Sequence, residues 1–272
     1  MLRVIAHSVP GIPIPLRFLV ASRPEAHIVE VFEHDPDLQA IQVHRYNLSD
    51  DPDANMDIHK YLGEEFEKIR QVHRVRRHLP QYWPDQEAID SLVERSSGHF
   101  IYASTVIRYI QSSKHRPDNR LQVILRLRPP QMGDRPYAQL DALYEFIFLC
   151  AENDGQLEKI CLVLGILYFG SINIGFFTKF CAHTATIEDL LDMRAGDLCL
   201  ALDPILSLIA IDGRDEIRIL HKSLFDYLLD SNRCRDLPFD LRRVHELAAT
   251  RILKESIVKN ICSAFFSPSL YI

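Results

Sequence analysis

The residues that decide the fold of this chain are 208–230, which read LIAIDGRDEIRILHKSLFDYLLD. Two apolar runs, 208–211 and 217–220, flank the turn-forming residues 212–215, and this pattern predicts a β-hairpin. Beyond the second run, apolar side chains recur at helical spacing, which predicts an amphipathic helix that begins near His221. The apolar members of this helix are Leu224, Phe225, Leu228 and Leu229.

Three short helical patterns come before the hairpin, at residues 174–181, 187–193 and 198–208. Three short helices followed by a two-stranded hairpin form the outline of a winged helix. Two longer apolar patterns, at 137–150 and 157–169, predict a pair of packed core helices. We therefore assign residues 134–237 to a winged-helix domain, and residues 238–272 to a last helix and a tail without an amphipathic pattern.

The apolar spacing in residues 51–133 predicts a helical domain that ends at a stretch of polar residues. Its first helix carries apolar residues at helical spacing, and a second helix begins at Pro84-Asp85 and closes at Ser96-Ser97-Gly98. Further helical patterns lie at residues 100–109 and 121–127.

The N-terminal residues 1–50 carry a different pattern. The short apolar run 16–21 ends at the turn signal Ser22-Arg23-Pro24-Glu25, which is typical of a buried parallel strand. Helical turns at 27–32 lead to a second candidate strand at 41–48. The predicted fold class is thus mostly α, with the remnant of an α/β parallel sheet at the N-terminus.

Composition excludes several classes of protein. The formal net charge of -6 argues against a nucleic-acid binder and against a membrane-surface protein that depends on a polybasic patch. The six cysteines show no C-x-x-C spacing, and we expect a cytoplasmic protein with free thiols. The apolar run 160–169 is too short to span a bilayer. We expect no membrane and no nucleic-acid partner.

Four stretches together resemble the NACHT modules of fungal signal-transduction NTPases of the STAND class, close to nephrocystin-type NTPases. They occur in the family's order over roughly residues 1–250: LRFLVASRPE at 16–25, LVERSSGHFIYASTV at 92–106, LDALY at 140–144 and LHKSLFDYLLD at 220–230. The resemblance implies a nucleotide-binding domain, a small helical domain and a winged helix that closes over the nucleotide.

The resemblance also implies three nucleotide-contacting residues. Arg23 falls at the sensor arginine, where a guanidinium offers paired donors to a γ-phosphate; the alternative is an exposed arginine that caps a turn before Pro24. His221 falls where the family's winged helix places a histidine against the β-phosphate of ADP, at a helix start that also favours an anion. Its alternative role is a bond from the ring to a nearby carbonyl. Phe100 stands where related chains carry a proline against the adenine, so it either walls the base or packs in the core.

The sequence lacks the parts that hydrolysis requires. None of its ten glycines is followed by lysine, so it contains no phosphate-binding loop. We expect no catalytic residues, no metal ligands and no obligatory cofactor, although ADP or ATP is possible by resemblance. We also expect the acidic metal-binding strand to be missing, because the chain starts just after it. A truncated product, a gene-model fragment and a degenerate paralogue are all consistent with this.

The predicted function is that of a regulatory fragment of a nucleotide-dependent signalling switch, which engages protein partners or self-assembles. The alternative is a complete STAND ATPase or GTPase whose loop is missing from the gene model. A DNA-binding winged helix is a third possibility, but the candidate recognition helix 174–181 carries Lys179 as its only charge. The basic residues between Arg70 and His78 are interpreted as a solvated helix end.

Overall fold

The computed structural model describes residues 4, 17–22, 26–39, 43–44, 53–128, 137–171, 182–234, 237–247 and 249–250. The chain divides into two compact units, Met1–Asp51 and Pro52–Ile272. The described residues are mostly helical, which confirms the coarse fold class. The domain boundaries predicted after residues 50, 133 and 237 stay predictions.

The helices α1 (Ala26–His34) and α2 (Pro36–Gln39) lie in the first unit, so the predicted helical turns at 27–32 are confirmed. The Asp35 carboxylate starts α2 by accepting the backbone N–H groups of Asp37 and Leu38 at 3.1 and 3.4 Å.

The predicted parallel sheet is not found in the described part of this unit. Residues 17–22 form no strand there, and all six are exposed, Leu19 to 98%. A buried parallel strand needs a hydrogen-bonded neighbour, and no described residue pairs with this stretch. Of the second candidate strand, only residues 43–44 are described, and they belong to no strand; the rest lies outside the described residues.

The second unit begins with four helices in which each helix packs against the next along the chain. They are α3 (Ala54–Val72), α4 (Gln86–Ser96), α5 (Phe100–Ile110) and α6 (Pro117–Arg126). The predicted apolar face of α3 is buried, and it consists of Ile58, Leu62, Phe66 and Ile69. These bounds confirm the helical patterns expected in this region.

The ends of α4 follow from local sequence signals. The Asp85 carboxylate accepts the backbone N–H of Ala88 at 2.8 Å, which caps the start of the helix. At the other end, Ser97 and Gly98 adopt left-handed backbone conformations with φ of 47° and 75°, and the chain turns into α5. Arg95 adds a tertiary link because its guanidinium donates to the carbonyls that end α6.

The rest of the second unit starts with two core helices, α7 (Ala138–Asn153) and α8 (Leu157–Ser171). Four smaller elements follow: α9 (Thr184–Leu190), α10 (Asp197–Leu202), and strands β1 (Ile209–Ile211) and β2 (Ile217–Ile219). The last named helix, α11, spans Ser223–Leu229. Two of the three predicted short helices are therefore present, and 174–181 lies outside the described residues.

The predicted hairpin is confirmed, with Ile209 opposite Ile219 and Ile211 opposite Ile217 in antiparallel register. Its turn differs from the expected Asp-Gly turn, because the left-handed residue is Asp215, at φ 60°. Asp212 organises the loop by accepting the backbone N–H groups of Arg214 and Glu216 at 2.8 and 3.1 Å. These two bonds are the main reason that the pKa of Asp212 is lowered.

A helical segment at residues 241–247 packs on α8, in agreement with the predicted last helix. Gly165 permits this contact: a Cβ added there would lie 2.5 Å from the Val244 Cγ2. Val244 is only 2% exposed and joins the same continuous apolar core as the buried residues of α3 and α7. Among the described helices, none is both long and apolar enough to cross a membrane.

Candidate functional site

The predicted sensor residue Arg23 lies outside the described residues. The other two predicted contacts, His221 and Phe100, are both described and both belong to the second unit.

His221 is an exposed residue between β2 and α11, as predicted. Its Nδ1 lies 3.1 Å from the backbone nitrogen of Ser223 and 2.7 Å from the Ser223 Oγ. A backbone N–H can only donate, so Nδ1 must be the acceptor, and in the neutral ring Nε2 carries the proton. The ring therefore accepts a backbone N–H at the helix start, in place of the predicted alternative of a bond to a carbonyl.

The backbone N–H groups of residues 223–226, at the start of α11, are used within the turn. The Ser223 N–H is bonded to the His221 ring, and the Leu224 N–H to the His221 carbonyl at 3.2 Å. The N–H groups of Phe225 and Asp226 both reach the Lys222 carbonyl, at 3.0 and 3.2 Å. Since these donors are used within the turn, an anion here would have to be held by side chains.

Ser223 connects His221 to the interior of the unit. Its Oγ lies 2.8 Å from the Tyr144 hydroxyl, and this contact is buried. Because the Ser223 hydroxyl proton is directed to Nδ1, the Tyr144 hydroxyl must donate to the Ser223 Oγ. Burial raises the pKa of Tyr144 to about 12, so its hydroxyl keeps this proton at neutral pH.

A serine bonded to a histidine also suggests an activated nucleophile. Ser223 is only 8% exposed, and its hydroxyl already has partners on both sides. A substrate carbonyl would not reach such an oxygen. We therefore interpret the hydrogen-bonded series Tyr144–Ser223–His221 as a means of holding the His221 ring in place, and we call this series the relay.

A second link joins the same two helical regions. Arg233, after α11, forms a two-pronged ion pair with Asp141 of α7: Nε lies 3.1 Å from Oδ2, and Nη2 lies 2.6 Å from Oδ1. The two side chains are 16% and 15% exposed. Burial alone would lower the pKa of Arg233, but the bonds to Asp141 raise it. The charge of Arg233 is thus matched within the protein.

Aromatic contacts extend the cluster toward Phe100. The Arg233 guanidinium lies 5.4 Å from the ring centre of Tyr137, and the Tyr137 ring lies 5.3 Å from that of His99. Phe100 follows directly, and its ring lies 5.7 Å from Tyr61. Phe100 is 44% exposed, so it is not a core phenylalanine.

Phe100 and His221 are joined by neither a hydrogen bond nor a ring contact, as far as the described residues show. A continuous series of contacts nevertheless runs between their neighbourhoods, through residues for which the sequence alone predicts no role. Four members of the series lie inside the four stretches that carry the family resemblance, and that resemblance was the only sequence signal for them. The other two members, Arg233 and Tyr137, lie outside these stretches. The series comprises His99, Tyr137, Arg233, Tyr227, Tyr144 and Ser223.

No cluster of three or more metal-ligating side chains occurs within the described ranges. No protein-family model, no curated protein and no solved structure matches this chain.

Proposed function

We propose that this chain is a regulatory, nucleotide-responsive module of the NACHT type. In this role, the second unit holds ADP through His221 and passes the state of the nucleotide to protein partners or to further copies of the assembly. The observation that carries the proposal is the relay: an exposed histidine between a strand and a helix is held through Ser223 by the buried Tyr144.

The relay suits phosphate binding because it fixes the tautomer of the ring. With Nδ1 accepting two hydrogen bonds, the ring proton is on Nε2, which becomes a donor to an anionic oxygen. A hydrogen bond to a charged oxygen is stronger than a neutral one, so one well-placed donor changes affinity measurably. In this account Phe100 forms part of the wall around the base, through its exposed ring.

The proposal also includes a route from ligand to assembly. The Asp141–Arg233 pair and the Tyr144–Ser223 bond both tie α7 to the α11 region. A ligand that shifts His221 would strain both contacts and change how the α11 region packs on α7. Such a region, with two alternative packing arrangements, is what a switch requires. Hydrolysis is not part of the proposal, because the sequence given has no glycine followed by lysine.

Calorimetric titration of the purified chain with ADP, and with ATP plus Mg²⁺, tests the proposal. The wild type is expected to bind, and His221→Gln should weaken ADP binding by roughly tenfold or more, since a hydrogen bond to a charged group is lost. His59→Gln, at an exposed histidine on α3, is the matched control and should bind like the wild type. Absence of binding by the wild type, or equal binding by His221→Gln, would refute the proposal.

A further inference from the structure

One end of the four-helix part of the second unit collects basic residues from two distant stretches of the sequence. The end of α3 and the connection between α5 and α6 meet there, because the His73 Nε2 lies 3.2 Å from the Ser112 carbonyl oxygen. The Arg116 guanidinium closes the contact by donating to the His78 carbonyl at 3.1 Å. We call residues 72–82 and 112–116 the basic end.

The cations of the basic end are exposed and only partly paired. They are Arg74, Arg76, Arg77, Lys114 and Arg116, together with the neighbouring histidines His78 and His115. Lys114 pairs with Asp203 at 2.7 Å, and Arg116 with Asp118 at 2.8 Å. No carboxylate of the described residues lies within ion-pair distance of Arg74, Arg76 or Arg77.

A structural role accounts for the neighbouring Arg70 but not for Arg74, Arg76 and Arg77. Arg70 donates to the carbonyls of Gln81 and Trp83 at 2.9 and 2.7 Å, and so holds the loop after α3. Arg74 makes one long hydrogen bond to a described residue, the Ser113 carbonyl, at 3.5 Å. Arg76 and Arg77 make no side-chain hydrogen bond within the described ranges, so folding alone does not require their guanidinium groups.

Large apolar side chains are exposed in the same segment. Val72, the last residue of α3, is 76% exposed, and Tyr82, in the loop that Arg70 holds, is 81% exposed. Arginines interspersed with an exposed aliphatic residue and a tyrosine form the composition that suits the boundary between phospholipid headgroups and acyl chains.

We propose that the basic end docks on an anionic phospholipid membrane surface. Its residues come from two segments that meet at one end of packed helices, whereas a nucleic acid is usually held in a groove or by a recognition helix. The overall charge of -6 does not prevent this, because charges beyond about 8 Å are largely screened at physiological salt.

The expected affinity is modest. Each basic residue near an anionic surface contributes about fivefold in affinity, so Arg74, Arg76 and Arg77 together give about a hundredfold preference for anionic over neutral membranes. A single contact of this strength is reversible, because stable anchoring needs a second signal.

Co-sedimentation of the full chain with phosphatidylcholine vesicles, with and without phosphatidylserine, tests the inference. The chain should pellet only with phosphatidylserine, and Arg76→Glu/Arg77→Glu should weaken binding at least about thirtyfold. Arg194→Glu, at an exposed arginine in another loop, should bind nearly as the wild type does. Circular dichroism melting of each variant establishes that it is folded.

Three results would overturn the inference: pelleting that does not depend on phosphatidylserine, equal losses in the double variant and the control, or preference for an RNA oligonucleotide in a competition assay. None of these measurements involves ADP, so they are independent of the proposed nucleotide role of His221.

Discussion

The hydroxyl of Tyr144 on α7 lies 2.8 Å from the hydroxyl of Ser223 on α11, 79 residues later in the chain. This contact joins two of the four motif stretches directly, and it connects an exposed histidine to the core. Tyr144 is 1% exposed, so its position is fixed by packing, and the position of Ser223 follows from it.

Alkaline pH should destabilise the fold partly through Tyr144. The pKa of Tyr144 is raised from its ordinary value of 10.0 to about 12, so its contribution to stability is fully present below pH 10 and is lost as pH rises toward 12. A shift of this size corresponds to about 2–3 kcal/mol. In urea unfolding measured from neutral to alkaline pH, the free energy of unfolding should fall less steeply with pH for Tyr144→Phe than for the wild type.

Tyr144→Phe should itself cost about 1 kcal/mol at neutral pH, since one buried hydrogen bond is removed. Tyr82→Phe is the control, because Tyr82 is 81% exposed and its removal should leave the alkaline loss unchanged. Identical pH profiles for Tyr144→Phe and the wild type would show that Tyr144 is not the group that titrates.

The Asp141–Arg233 ion pair should be strongly coupled. Asp141→Ala leaves a largely buried guanidinium without its partner, so the free energy of unfolding should fall by about 2–4 kcal/mol. The double variant Asp141→Ala/Arg233→Ala should lose less than the sum of the single losses. Glu158→Gln breaks the exposed Arg243–Glu158 pair and should change stability by less than about 1 kcal/mol. Additive losses in the double-variant cycle would contradict the coupling.

Much of the helical architecture could be predicted from short-range signals. Asp85 and the Ser97-Gly98 pair mark the ends of α4 because capping depends on residues within one turn. The site could not be predicted in the same way. Arg233 pairs with Asp141 across 92 residues, and no periodicity indicates which of many charged residues meet.

The basic end likewise depends on contacts between residues that are distant in the sequence. The net charge of -6 and the isolated stretch between Arg70 and His78 both favoured a solvated helix end. Only the fold brings residues 112–116 beside it, through contacts such as His73 to the Ser112 carbonyl. The strand expected at 16–21 is not found in its described residues, 17–21, because an apolar run forms a strand only where another strand pairs with it.

Gly165 should tolerate no side chain. A Cβ there would lie 2.5 Å from the Val244 Cγ2, and the β-branched Val244 has little rotamer freedom to move away. Gly165→Ala should therefore destabilise the chain by about 1–3 kcal/mol in thermal or urea unfolding. Gly63→Ala is the matched control on α3: nothing lies within 4 Å of the added Cβ, so it should be neutral or stabilise by up to about 1 kcal/mol. If both substitutions stabilise, α8 and residues 241–247 are not in this close contact.

Arg95 should contribute to stability through the end of α6. Its guanidinium donates to the carbonyls of Leu125 and Ile124 at 2.7 and 2.9 Å, in the last turn of the helix, where carbonyls lack the usual i+4 donor; the Ile124 carbonyl also accepts the Leu127 N–H at 3.1 Å. Arg95→Ala should lower the free energy of unfolding by about 1–3 kcal/mol. Arg126→Ala, at an exposed arginine on α6, should have little effect. Equal losses for the two variants would mean that the cap is not what stabilises this end.

Nitrogen-15 resonances of the histidine rings, followed during titration with ADP, test the central claim most directly. The relay predicts that the His221 ring, identified by its absence in His221→Gln, carries its proton on Nε2 before ligand is added. ADP should then shift this resonance in a saturable manner, while that of His59 stays in place. A protonated Nδ1 in the free protein, or saturation with ADP that leaves His221 unshifted, would contradict the account.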